Sequence, residues 1–203
     1  AILGEISNGT FAPGDRIIQE QLASGLGVSR QPVQQALALL RNQGVLKDAP
    51  GRGLMVAGLD PEHVQHIYDL RAALEGMAAR RAAELNAERA AKHGPALIEA
   101  GRKAVAAGSV ARMSVADVRF HEFIYGLSEN PLIAPTLDPH LTYTQRVMGE
   151  VLVRDEAPTE IWDQHEAILK AIAAGKADKA ETLVRSHLHN AAGFMLMRLK
   201  KQG

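Results

Sequence analysis

The chain has 203 residues, with 23 Lys and Arg against 23 Asp and Glu, so its formal charge is zero and gives no electrostatic sign of a nucleic-acid partner. It is 46% hydrophobic but only 4% aromatic, which points to Ala- and Leu-rich helical cores, and without cysteine it excludes disulfides and thiolate metal sites. No apolar run approaches the ~18 residues of a membrane span, and Ala1–Glu5 lacks the order of a signal peptide, so a cytoplasmic chain without a membrane partner is expected.

Residues 1–57 mix short helical patterns with Gly and Pro punctuation. Ile2, Leu3 and Ile6 form the stripe of a short helix, and Asn8-Gly9 and Pro13-Gly14-Asp15 read as turns. Ile18, Leu22 and Leu26 follow at helical spacing and end at Gly27. Ser29 can cap the next helix, which carries Val33, Ala36, Leu37, Leu39 and Leu40. Two helices split by Gly25–Ser29 make a helix-turn-helix pattern. Gly44–Lys47 and Leu54–Val56, around Ala49–Gly53, predict a small β-hairpin, or wing.

Gly58-Leu59-Asp60-Pro61 (58–61) reads as a linker, with Asp60 capping a helix that begins at Pro61. Residues 62–203 then predict six helices, at roughly 61–84, 87–107, 110–128, 131–153, 158–174 and 177–200. Breaks fall at Gly108, Ser128–Pro131, Ala157-Pro158 and Gly175. The fold class expected is mainly α: an N-terminal winged helix-turn-helix and a C-terminal antiparallel helical bundle.

In a helix-turn-helix, the start of the second helix meets base edges in the major groove. Those positions hold Ser29, Arg30, Gln31 and Gln34. Arg30 suits a bidentate contact to guanine, Gln31 or Gln34 a contact to adenine, and Arg52 at the wing tip a phosphate or the minor groove. Five cations in residues 1–57 (Arg16, Arg30, Arg41, Lys47, Arg52) face four anions (Glu5, Asp15, Glu20, Asp48), so modest affinity per domain and a need for dimers are expected. The pattern Gly9, Pro13-Gly14-Asp15, Leu22-Ala23, Leu26–Arg30, Pro32-Val33, Ala36-Leu37, Leu40, Gly44 and Gly51-Arg52-Gly53 resembles the N-terminal domain of the GntR family of bacterial regulators. That resemblance implies binding to double-stranded DNA. The family usually has Arg where Gln34 stands, so readout is expected to lean more on Arg30 and Arg52.

The later helices carry polar residues on their inward stripes. Met113, Phe120, Ile124 and Leu127 define one stripe, and Asp117 and His121 lie on it four residues apart. His165 lies among Ile161, Ile168, Leu169 and Ile172, and His187 among Leu183, Val184, Leu188 and Ala191. Interior polar groups need partners. Three imidazoles and a carboxylate suit a divalent metal, Zn first, with Ni, Mn or Fe compatible; a purely hydrogen-bonded polar core is the alternative. His63, His66, His93, His140 and His189 lack such placement and are expected at the surface. Arg71 falls on the stripe of Val64, Ile67, Tyr68, Leu74 and Ala78; it either pairs with Glu75 or clamps the carboxylate of a small ligand.

Residues 62–190 resemble the FCD ligand-binding domain of FadR-type members of the GntR family. The matching residues are Arg71 and Glu75, Asp117 with Phe120-His121, Asn130-Pro131, His165 with Ile168, Ala171-Ile172 and Gly175, Ala180 and His187. The resemblance implies that Asp117, His121, His165 and His187 bind a divalent metal and that a small organic acid completes its coordination. Gln164 replaces the family's common Glu before His165, which bears on a neighbouring outer contact. Together these features predict a homodimeric, ligand-responsive repressor on a palindromic operator. A metal-dependent hydrolase and a direct metal-ion sensor are the rival readings of the same His and Asp set.

Overall fold

The computed structural model describes residues 2–7, 10–152 and 159–200 and divides into two compact units between Asp60 and Pro61. The Asn8-Gly9 turn and the Ala157-Pro158 break lie outside the described residues.

The first unit runs α1 (Ile2–Ser7), β1 (Arg16–Ile17), α2 (Gln19–Leu26), α3 (Arg30–Asn42), β2 (Leu46–Asp48) and β3 (Leu54–Val56). Its wing is a three-stranded sheet in the order β1-β3-β2, not a bare hairpin. Arg16 pairs with Met55 and Ile17 with Leu54, antiparallel. That pairing keeps the backbone extended through Ile18, so Ile18 is not on the helical stripe expected of it. It sits half-exposed at the N-cap of α2, and Leu22 and Ala23 supply the buried face. Gly27 ends α2 in the left-handed region at φ 65°, where a glycine carries no Cβ penalty.

Ser29 occupies the N-cap of α3 with an extended backbone, but its side chain makes no capping hydrogen bond, contrary to expectation. The α3 face turned to the core is Val33, Leu37 and Leu40; Leu39 falls between these rows and is 55% exposed. Val45, just before β2, and Val56 of β3 are fully buried in the same core. Arg16 stretches along the wing and donates to the Pro50 carbonyl at 2.5 Å and the Arg52 carbonyl at 3.0 Å, which fastens the tip.

The second unit contains α4 (Pro61–Leu85), α5 (Ala87–Ala106), α6 (Val110–Leu127), α7 (Ile133–Leu152), α8 (Thr159–Ala173) and α9 (Ala177–Lys200). α4 is its axis: it packs most extensively on α9 and also touches α5, α6, α7 and α8. Ala72, Ala78, Ala79, Ala82 and Ala83 bury one side of α4, and small side chains let helices approach closely. Ser109 caps α6 by accepting from the Arg112 N–H at 3.4 Å. The buried Asn86 between α4 and α5 donates to the Leu127 carbonyl at 2.9 Å and so fixes the end of α6.

His66, His93 and His189 are exposed as expected. His63 and His140 are half-buried instead; the ring of the buried Tyr143 of α7 meets that of His63 edge-on at 4.8 Å.

α5 meets α8 closely at Gly101. A Cβ built there would overlap the indole of Trp162, the only tryptophan in the chain and 2% exposed. Relief requires moving a large ring inside a packed interior, which costs about 1–3 kcal/mol. Gly101→Ala is therefore expected to lower stability by that amount in urea denaturation and to shift Trp162 emission. An unchanged midpoint and spectrum would show the contact to be slack.

Candidate metal centre and nucleic-acid interface

Four helices bring one polar cluster together. α4 supplies Arg71 and Glu75, α6 supplies Asp117, His121 and Tyr125, α8 supplies Gln164 and His165, and α9 supplies His187. The i, i+4 spacing on α4 and α6 stacks successive polar groups on one face, so each helix delivers them as neighbours. His121, His165 and His187 are 1%, 0% and 5% exposed, and each offers a ring nitrogen within 4.8 Å of the others. Asp117 joins them from the wetter edge, its side chain 14% exposed.

The donor separations fit a cation. His165 Nε2 lies 3.2 Å from His187 Nε2 and 3.6 Å from Asp117 Oδ1, and His121 Nε2 lies 3.9 Å from the same oxygen. Ligand atoms on a tetrahedral ion at ~2.0–2.1 Å stand about 3.3 Å apart. His121 Nε2 is buried without a hydrogen-bond partner, the condition of a nitrogen kept for another ligand. Burial pushes the His165 imidazole well below its ordinary range and His187 to about 3, so both are the neutral form that a metal needs. Burial also raises the Asp117 carboxyl, at the cost of keeping a carboxylate there without a cation. The residues present therefore fit a divalent metal of the N/O-binding kind.

Each imidazole is oriented differently. His121 Nδ1 lies 2.6 Å from Glu75 Oε2. His187 Nδ1 lies 2.8 Å from Gln164 Oε1, so the residue that departs from the family's Glu contacts His187 and not its neighbour His165. The hydrogen bond to Gln164 fixes the His187 ring and aims its other nitrogen, while the Glu75 carboxylate lies against His121 as a neighbouring charge. His165 is held by rings: Phe120 stacks on it at 4.3 Å, and Trp162 meets it edge-on at 4.8 Å.

Arg71 is 2% exposed, and its Nε donates to Glu75 Oε1 at 2.6 Å. Both alternatives considered for Arg71 thus involve a residue already paired. Burial pushes the Glu75 carboxyl up, but Arg71 and His121 beside it win and hold it at about 2. Glu75 joins the guanidinium to a candidate metal ligand, a role that sequence reading had not given it. Tyr125, four residues past His121, was also missed; the spacing Asp117, His121, Tyr125 was its signal.

In the first unit, Ser29, Arg30, Gln31, Gln34 and Arg52 are all exposed. Arg30, Gln31 and Gln34 share the first turns of α3, while Arg52 stands apart on the wing. The Arg30 guanidinium forms an ion pair with Glu20 of α2, and the Gln19 amide donates to the Arg30 carbonyl at 2.9 Å. The exposed pair contributes little to stability, so it orients the arginine without locking it away from a base.

Comparisons with known proteins agree with this architecture. Residues 1–56 match bacterial regulatory proteins of the gntR family, and residues 66–190 match the FCD domain. The chain is 28% identical to the HTH-type transcriptional regulator YdhC of Bacillus subtilis, over 91% of this chain and 83% of that protein. It is 26% identical to the gluconate operon transcriptional repressor of Bacillus subtilis, over 82% of this chain and 70% of that protein. In fold it is similar to E. coli McbR/YncC, with a TM-score of 0.80, 21% identity and coverage of 97% of this chain and 93% of that one.

Proposed function

Because the chain belongs to the GntR family and carries its FCD domain, it is a DNA-binding transcriptional regulator, and we propose that a small carboxylate, taken up at a metal centre in the helical unit, tunes its grip on the operator. The observation that carries this reading is the convergence of Asp117, His121, His165 and His187 from three helices. A divalent cation held there, Zn first and Ni, Mn or Fe as alternatives, supplies positive charge and an open position for a carboxylate oxygen. Arg71 binds the same carboxylate, and Glu75 keeps the guanidinium and the His121 ring in fixed relation. A gluconate operon repressor among the relatives supports repression and a sugar-acid type of signal.

The regulator works as a homodimer, so that two α3 helices meet two half-sites of a palindrome. Ser29, Arg30, Gln31 and Gln34 read bases or hold phosphate at the start of α3, and Arg52 reaches phosphate or the minor groove. Among the described residues no helix is long and apolar enough to cross a membrane. The hydrolase reading gains nothing from the site: Glu75, the further carboxylate beside the four candidate ligands, is held by Arg71 and lies against His121, so it is not placed as a separate general base. The metal-sensor reading differs only in which species carries the signal.

Fluorescence anisotropy with duplexes from the DNA upstream of the coding sequence tests the proposal at fixed salt. The wild-type chain is expected to bind one duplex specifically and to lose affinity when a carboxylate effector is added. Arg30→Ala should weaken specific binding by about 1–3 kcal/mol and relax preference at one base pair of each half-site. Equal weakening on specific and random DNA would make Arg30 a phosphate contact instead.

A further inference from the structure

Two consecutive residues of α2 take hold of Arg30 at the start of α3. The Gln19 side-chain amide donates to the Arg30 carbonyl at 2.9 Å, which ties the first turn of α2 to the backbone of the arginine. Glu20, the next residue, accepts from Arg30 Nη2 and so fixes the far end of the same side chain. The Arg30 and Glu20 side chains are 67% and 72% exposed, so the pair stands on the surface beside the exposed Gln31 and Gln34, outside the core.

Such a bracket changes how Arg30 meets DNA. A guanidinium has five N–H donors and Glu20 takes one, so a two-pronged face is left for the O6 and N7 of guanine. A long arginine side chain gives up rotamer freedom when it binds, and holding it at both ends removes part of that loss before DNA arrives. The carboxylate also acts against attachment. Cations on phosphate supply the affinity common to every sequence, and an anion on the same surface lowers it. Residues 1–57 hold five cations against four anions, so replacing Glu20 by a neutral residue raises the surplus from one to two.

We propose that Glu20 is a positioning residue for sequence reading: it holds Arg30 toward a guanine and away from phosphate, lowering affinity for DNA in general while sharpening discrimination at one base pair of each half-site. This rests on Arg30 as a base-reading residue. A carboxylate with a merely structural part would move both quantities in the same direction, whereas this one moves them in opposite directions.

The test uses the full chain as wild type, Arg30→Ala, Glu20→Ala and Glu20→Gln. A pool of randomised duplexes is selected with the wild type. Fluorescence anisotropy at fixed salt then measures affinity for the selected duplex, for copies with each base pair exchanged in turn, and for a random duplex. Arg30→Ala identifies the pair that Arg30 reads, as the one whose exchange no longer matters. Glu20→Ala is expected to bind the random duplex about twofold or more tighter, and to discriminate at the Arg30 pair about threefold or more weaker, with the other pairs unchanged. Glu20→Gln, which keeps an acceptor of the same shape, is expected to match the gain on random DNA and to lose less discrimination. Unchanged discrimination at the Arg30 pair in Glu20→Ala, an equal fall at every pair, or weaker binding to random DNA in both Glu20 variants overturns this inference and leaves Arg30 as a reader. A pool that yields no preferred sequence, or an Arg30→Ala chain that loses preference at no pair, overturns both readings.

Discussion

Arg71→Met is expected to lower the stability of the metal-free helical unit by about 3–5 kcal/mol, the usual cost of removing one partner from a buried ion pair. The guanidinium is only 2% exposed and faces the Glu75 carboxylate at 2.6 Å, so its loss strands that carboxylate in the interior beside an imidazole. The size of the effect comes from the stranded charge more than from the lost attraction. Arg71→Met combined with Glu75→Gln should recover most of the loss, since the second change removes the charge left behind. Urea denaturation of the two single variants and the double variant forms a cycle, and a coupling of at least 1 kcal/mol is expected for residues in contact. Strictly additive losses would mean that the pair does not act as a unit.

Metal removal should have an effect of similar size. Saturating cation, at about a thousand times its Kd, stabilises the folded chain by about 4 kcal/mol. His165→Ala is expected to abolish that gain, because His165 stands nearest to both His187 and Asp117. Acidification should act in the same direction on the metal-free chain. His187 is pushed to about 3 by burial, whereas an unfolded chain takes up its proton near pH 6.5. The unfolded state thus binds more protons between those values, and stability falls as pH drops. From this group alone the loss at pH 5 is on the order of 2 kcal/mol. Thermal denaturation from pH 7.5 to pH 5, with and without Zn, reads both effects. Stability that is flat across this range in the metal-free chain would contradict a neutral, buried cluster.

Much of the site was legible because helices report their faces. Asp117 and His121 interrupt an apolar stripe of α6, and His165 and His187 do so on α8 and α9, so inward placement followed from spacing alone. That the three helices meet at one point came from the resemblance, since periodicity says which face is buried and not what it is buried against. The outer contacts were harder. Glu75 looked like a partner for Arg71, yet its second oxygen reaches across to α6, and Gln164 serves His187 of α9 and not its own neighbour. Such links depend on tertiary packing. In the first unit the two-residue strand β1 left no alternation to detect, so Ile18 was read as helical when strand pairing keeps it extended. Leu39 was apolar and helical but off the buried face.

The most direct measurement counts metal. Native mass spectrometry of the full chain, supplied in turn with Zn, Ni, Mn and Fe, is expected to show one divalent ion per chain, and none when Asp117, His121, His165 and His187 are replaced together by Ala. A folded wild-type chain that stays metal-free, or a fourfold variant that keeps its ion, would contradict the account.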